Sequence, residues 1–146
     1  MKMRDLLIDA IIRKAQPRDI VPIKAVLDRN RAALGFVRRA ELEQGILRGE
    51  VLVGESRGNI IGVLHYHHRL DATTTIYQVV VAAEVRRNGL GRALIKALEK
   101  ECWQRGQQLL RLKCPVDLPA NGFYARLGFR RMGVEDGVRR PLAVWE

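Results

Sequence analysis

Along residues 89–105 the apolar positions Leu90, Leu94, Ala97, Leu98 and Cys102 recur at helical spacing, while Arg92, Lys96, Glu99 and Lys100 fall off that stripe. The period predicts an amphipathic helix with Gly106 as its stop. On either side the pattern changes. TTTIYQVVVA (73–82) is rich in β-branched residues and ends in consecutive apolar positions, which reads as a central strand buried on both faces. QLLRLKC (108–114) reads as a further strand, so 73–114 forms a β-α-β unit with a crossover long enough for parallel strands.

Upstream, IIRKA (11–15) is a short strand, followed by Ile20, Ile23, Val26 and Leu27 at helical spacing within 17–34. Pro17 suits a first turn, whereas Pro22 places the helix start close to itself or kinks the helix. RAELEQGILRG (39–49) is a second short helix ending at Gly49. VLVGES, the turn RGN (57–59) and IIGVLHYHH form a hairpin. Downstream come a short helix opened by Pro119 and closed by Gly128, a strand near FRRMGV and a last strand in RRPLAVWE. The order β-α-α-β-β-β-α-β-α-β-β predicts an α/β (α+β) fold with one mixed sheet of about six to seven strands flanked by helices.

The 146-residue chain reads as one domain, 1–146, with residues 1–10 as an N-terminal extension to a core of about 11–146. Its net charge of +10 and pI near 10.4 point toward an anionic partner: nucleic acid, a membrane surface or a phosphate-rich cofactor. Aromatic residues make up only 5% of the chain, and no nucleic-acid reader motif or densely basic helix face occurs, which disfavours a nucleic-acid-binding module. Cys102 and Cys114 carry no paired-cysteine motif and read as packed thiols of a reduced compartment. The N-terminus MKMRDLLIDAII does not read as a signal peptide, and no stretch approaches the roughly 20 apolar residues of a membrane span. A cytoplasmic protein with no membrane partner is the expectation.

RRNGLG (86–91) joins the apolar run of 73–82 to the helix. A glycine-rich turn between strand and helix exposes free N–H groups and the positive end of the helix dipole, an arrangement suited to phosphate. The dinucleotide fingerprint is excluded because its third glycine would fall on Leu94, and no Gly-Lys-Ser/Thr string exists for a P-loop.

The run Arg86-x-x-Gly89-x-Gly91 with Val81 ahead of it and Leu94 behind resembles the R/Q-x-x-G-x-G/A signature of the GNAT N-acetyltransferase superfamily. NGFYARLGF (121–129) is similar to that family's segment near the C-terminus. The resemblance covers about residues 11–146. It implies acetyl-CoA (coenzyme A) as co-substrate, lying between strands 73–82 and 108–114 where they splay apart. Backbone groups of Val79 and Val81 would then pair with the pantetheine arm. Those of Arg86, Arg87, Asn88, Gly89, Leu90, Gly91 and Arg92 would wrap the pyrophosphate.

By the same resemblance Tyr124 aligns with a tyrosine that protonates the departing thiolate, the proton transfer that lets a thiol leave after amine attack. Asn121 either bonds the cofactor arm or shapes its own turn. Thr75 stands where many members carry a glutamate, and no carboxylate occurs in 72–83. An ordered water, His65 or His67 is left as the base, or the fraction of amine already unprotonated suffices without one. No metal site is announced. Tyr77 and Gln78 are candidates for the acceptor site, and Cys114 has no His-Asp partner for a covalent route.

The expectation is therefore an acyl-CoA-dependent N-acyltransferase acting by direct transfer on a small-molecule or peptide amine. A nucleic-acid-linked acceptor is the alternative, and family analogy leaves a homodimer open. Residues 17–48, 69–73 and 133–138, where family members set acceptor choice, hold no decipherable code. Within them GVEDGV is a locally acidic stretch that fits either a cationic amine or a plain hairpin turn.

Overall fold

The computed structural model describes residues 10–31, 37–86 and 88–146. Part of the N-terminal extension (1–9), the end of the first helix candidate (32–34) and Arg87 lie outside the described residues. The strands are β1 (Ile11–Lys14), β2 (Val51–Ser56), β3 (Asn59–His68), β4 (Thr73–Val81), β5 (Leu109–Pro115), β6 (Arg131–Glu135) and β7 (Leu142–Trp145). The helices are α1 (Ile20–Arg29), α2 (Arg39–Leu47), α3 (Leu90–Arg105) and α4 (Ala120–Arg126). The strands make one mixed sheet in the order β1-β2-β3-β4-β5-β7-β6, in which only β4 and β5 run parallel. The element order is the one expected.

Pro22 is the third residue of α1, among the first N–H positions that have no intrahelical partner in any case, so it neither breaks nor bends the helix. The approach to α1 is pinned by Asp19, whose carboxylate accepts from Arg13 (2.8 and 3.0 Å) and from the Gln16 N–H (2.7 Å). The hairpin joining β2 and β3 turns at Arg57 (φ 50°) and Gly58 (φ 80°), the left-handed pair of a tight two-residue turn.

Alternation along the strands feeds two apolar layers. Val51, Val53, Val63 and Val80 pack with Ile23, Leu27, Leu42 and Ile46 of α1 and α2 on one face. Leu52, Leu64, Ile76 and Leu112 pack with Leu90, Leu94, Ile95 and Leu98 of α3 on the other. Burying such a side chain contributes about 1.5–3 kcal/mol. Gly54 and Gly62 face each other across β2 and β3, and a Cβ on either would stand 3.1 Å from a Leu90 methyl. The glycine pair thus admits Leu90 and brings the start of α3 close against the sheet.

The expectation that β4 is buried on both faces is corrected. Its α3 face is buried at Thr74 and Ile76, but Tyr77 is half exposed. The β3 register passes from His65↔Gln78 to Tyr66↔Ile76, so Tyr77 is an extra residue bulging from β4.

Candidate active site

The sheet opens beyond the Tyr77 bulge. β4 and β5 pair from Thr73↔Leu109 to Ile76↔Leu112 and no further, although β4 runs on to Val81 and β5 to Pro115. Past Leu112, β5 keeps its partner on the other side, β7. The two parallel strands therefore diverge into a fork. The Ala82 N–H donates to the Ile61 carbonyl (2.8 Å), so strand alternation turns the backbone polar groups of Val79 and Val81 away from β3 and toward the gap.

At the upper end of the fork stands the RRNGLG turn. Gly89 has φ 88°, a left-handed conformation that a side chain disfavours, and it precedes α3 with no side chain capping the helix. The first helical bond of this end runs from the Ala93 N–H to the Gly89 carbonyl (2.9 Å), so the N–H groups of Leu90, Gly91 and Arg92 come before it. Gly91 serves close packing: a Cβ there would lie 3.2 Å from the Phe123 ring and 3.6 Å from a Val81 methyl. α4, α3 and β4 converge on this glycine.

The described side chains of the turn act mainly on the protein itself. The Arg86 guanidinium donates to the Val81 carbonyl (3.1 Å) and to Asn30 at the end of α1. The Asn88 amide donates to the Arg86 carbonyl (2.8 Å). Arg92 is exposed, and Leu90 is a core residue that contributes only backbone to the turn.

Tyr124 lies on α4 one residue after Phe123, its ring 6.0 Å from that of Phe129. It is 8% exposed. Burial pushes the hydroxyl's pKa upward and neighbouring Cys114, on the diverging part of β5, adds to the shift, so the phenol holds its proton throughout the neutral range. Burial likewise raises the Cys114 thiol, leaving it a packed, protonated side chain.

Asn121 is fully engaged within the fold. Its amide donates to the carbonyls of Pro115 (2.9 Å) and Leu118 (2.8 Å), and its oxygen accepts from the Trp145 indole (2.9 Å). These contacts tie the end of β5 to β7 and favour the turn-shaping alternative. Asn121→Ala is expected to cost about 2 kcal/mol or more, because the buried Trp145 N–H loses its acceptor. A thermal melt should fall by roughly 5–10 °C, whereas acetyl-CoA affinity measured on the same sample should change less than about threefold. A stable variant with weakened binding would return Asn121 to the cofactor arm.

The histidines are also occupied. His65 Nδ1 meets Gln78 Oε1 at 3.1 Å, and a Cβ at Gly45 would lie 2.6 Å from His65 Nε2, so the ring is tucked beneath α2. Burial lowers the His65 pKa and keeps the ring neutral at pH 7. His67 Nδ1 is held by Glu50 (2.8 Å). Glu135, from the acidic GVEDGV stretch, forms an ion pair with Lys113 on the diverging part of β5.

Sequence reasoning singled out Tyr77 and Thr75 on the open face beside the fork but missed Arg111 and Lys113, which join them there. Thr75 and Arg111 are register partners there, with Lys113 two residues on. With Tyr77, they line a cavity of about 390 Å3. The alternation in LLRLKC signalled a polar face on β5, but nothing local indicated that the face would be left uncovered.

Comparison with known proteins assigns the chain. The model of the acetyltransferase (GNAT) family matches residues 38–129, which include β4, the turn, α3, β5 and α4. The chain belongs to the acetyltransferase (GNAT) family. A curated Danio rerio protein named "Probable N-acetyltransferase 14" is 35% identical over 94 residues, 62% of this chain and 33% of that protein. The chain thus spans about a third of that relative's length.

Solved structures that share the fold include two N-acetyltransferases. The ribosomal-protein-S18-alanine N-acetyltransferase of Escherichia coli has a TM-score of 0.77 at 20% identity, covering 93% of this chain and 91% of that one. The PaiA N-acetyltransferase of Thermoplasma acidophilum, solved in complex with coenzyme A, has a TM-score of 0.77 at 17% identity, covering 94% and 98%. Among the described residues no helix is long and apolar enough to cross a membrane.

Proposed function

We propose that this GNAT-family chain transfers the acetyl group of acetyl-CoA to a primary amine by direct attack, with Tyr124 as the proton donor to the leaving sulfur. The observation that carries the reading is the fork between β4 and β5, with an uncapped helix N-terminus at one end and a buried, protonated tyrosine beside it. The backbone groups of Val79 and Val81 hold the pantetheine arm as an added strand would. The N–H groups at the start of α3 receive the pyrophosphate, aided by the helix dipole. The presence of coenzyme A in the Thermoplasma acidophilum relative supports this use of the fork.

In the transfer, the amine nitrogen bonds to the thioester carbonyl carbon, the C–S bond breaks and the sulfur takes up the tyrosine proton, while the proton that the nitrogen sheds as it becomes an amide passes to water and solvent reprotonates the tyrosine. His65 and His67 are held by Gln78 and Glu50, and His65 Nε2 points toward α2. That occupancy supports attack by an amine already free of its extra proton, or one that loses it to water. The test is calorimetric titration with acetyl-CoA followed by a screen for labelled acetyl transfer to amines. Saturable binding with transfer to an amine nitrogen is expected. No measurable binding would end this reading.

A further inference from the structure

The cavity beside the fork carries information about the acceptor. Thr75 and Arg111 share a face because they are parallel register partners, and Lys113 follows by strand alternation. That face is opposite the one covered by α3, since Thr74 contacts Cys102 of α3 and Ile76 and Leu112 join its apolar layer. The cavity extends from Arg69 and Asp71 in the turn before β4 to Tyr77 at the bulge. An acceptor seated there is at the mouth of the gap in which the thioester would lie.

The cavity wall is cationic. Arg69, Arg111 and Lys113 line it, against Asp71 as the one lining carboxylate among the described residues. Asp71 stands 3.8 Å from Arg69, which leaves Arg111 and Lys113 nearest the fork. Each has a carboxylate partner that does not line the cavity: Glu146 accepts from the Arg111 Nε–H at 2.6 Å, and Glu135 pairs with Lys113. The two cationic side chains nonetheless stay 46% and 47% exposed. A guanidinium has more N–H donors than one carboxylate oxygen uses, so Arg111 keeps donors for a second anion.

We infer that the acceptor is a small amine carrying its own carboxylate, an amino acid in chemical class, whose carboxylate is held by Arg111 and Lys113 while its nitrogen reaches the fork. A volume of about 390 Å3 suits a molecule of that size. The inference rests on the acetyl-transfer reading and goes beyond it by naming the substrate class.

The test compares common amino acids with the amines left when their carboxyl group is removed, lysine against cadaverine and tyrosine against tyramine among them. The wild-type protein should favour the carboxylated member of at least one pair by tenfold or more in kcat/KM. In Arg111→Gln that preference should collapse through a rise in KM of about tenfold to a hundredfold, the range for losing a charge-assisted hydrogen bond. KM for the decarboxylated amine should stay put. Glu146→Gln, which frees the guanidinium, should lower KM for the same amino acid.

Lys113→Gln and a thermal melt of each variant guard against a folding defect in any one of them. Equal or better use of the decarboxylated amines overturns the inference. So does an unchanged preference in a folded Arg111→Gln protein, or transfer to no amino acid while acetyl-CoA still binds. Calorimetry with acetyl-CoA alone separates these results from failure of the transferase reading itself.

Discussion

Replacing Gly91 by aspartate is expected to remove acetyl-CoA binding while α3 still forms. Gly91 is the second residue of α3, a position where a carboxylate ordinarily helps a helix by a few tenths of a kcal/mol or more through the dipole. Helix propensity therefore does not predict harm. The harm comes from the neighbourhood. The new Cβ meets the Phe123 ring at 3.2 Å, so α4 has to yield by a few tenths of an ångström, and the carboxylate stands at the helix start proposed to receive the pyrophosphate. Two like charges about 4 Å apart at a partly screened site repel by roughly 4 kcal/mol.

An affinity loss of at least about a hundredfold should follow, read by calorimetry on a protein whose melting shows that it is folded. Gly91→Ala separates the causes, since it adds the Cβ without the charge. It should bind within about tenfold of wild type and melt a few degrees lower. An aspartate variant that binds acetyl-CoA normally would mean that the start of α3 is not the pyrophosphate site.

Much of this arrangement is legible in the sequence because it is local. The apolar stripe of α3 repeats every three to four residues, the turn that precedes it spans a few consecutive positions, and the β-branched run marks β4. Features that depend on distant parts of the chain are not legible. The end of the β4–β5 pairing at Ile76↔Leu112 is a matter of register between segments more than thirty residues apart. The bulge at Tyr77 arises from pairing with β3.

The reading of β4 as buried on both faces went astray for the same reason. Apolar content in QVVVA signals burial, but the pairing with β3 decides which residues receive it, and Tyr77 bulges out of that pairing half exposed. The place of Asn121 in the motif left a cofactor contact and a turn-shaping role both open. Its bond from Trp145, at the far end of the chain, favours the other alternative, a residue that shapes its own turn.

Tyr124→Phe should lower kcat by about a hundredfold or more, within the range assigned to a positioned proton donor, with little change in acetyl-CoA affinity. The structure makes this substitution unusually clean. Among the described residues no hydrogen bond contributes to the environment of the Tyr124 hydroxyl, whose raised pKa comes from burial and from Cys114. Removing a buried hydroxyl without a protein partner leaves no orphaned group behind, so the variant should be as stable as wild type or slightly more so. The ring keeps its contacts with Phe123 and Phe129. A loss of turnover thus reports chemistry and not folding. The upward shift also fixes the pH behaviour: a phenol with a raised pKa stays protonated through neutrality, so ionisation of Tyr124 should produce no fall in kcat between pH 7 and about 9. Unchanged kcat in the phenylalanine variant would transfer the proton to water and leave Tyr124 as packing between α4 and the fork.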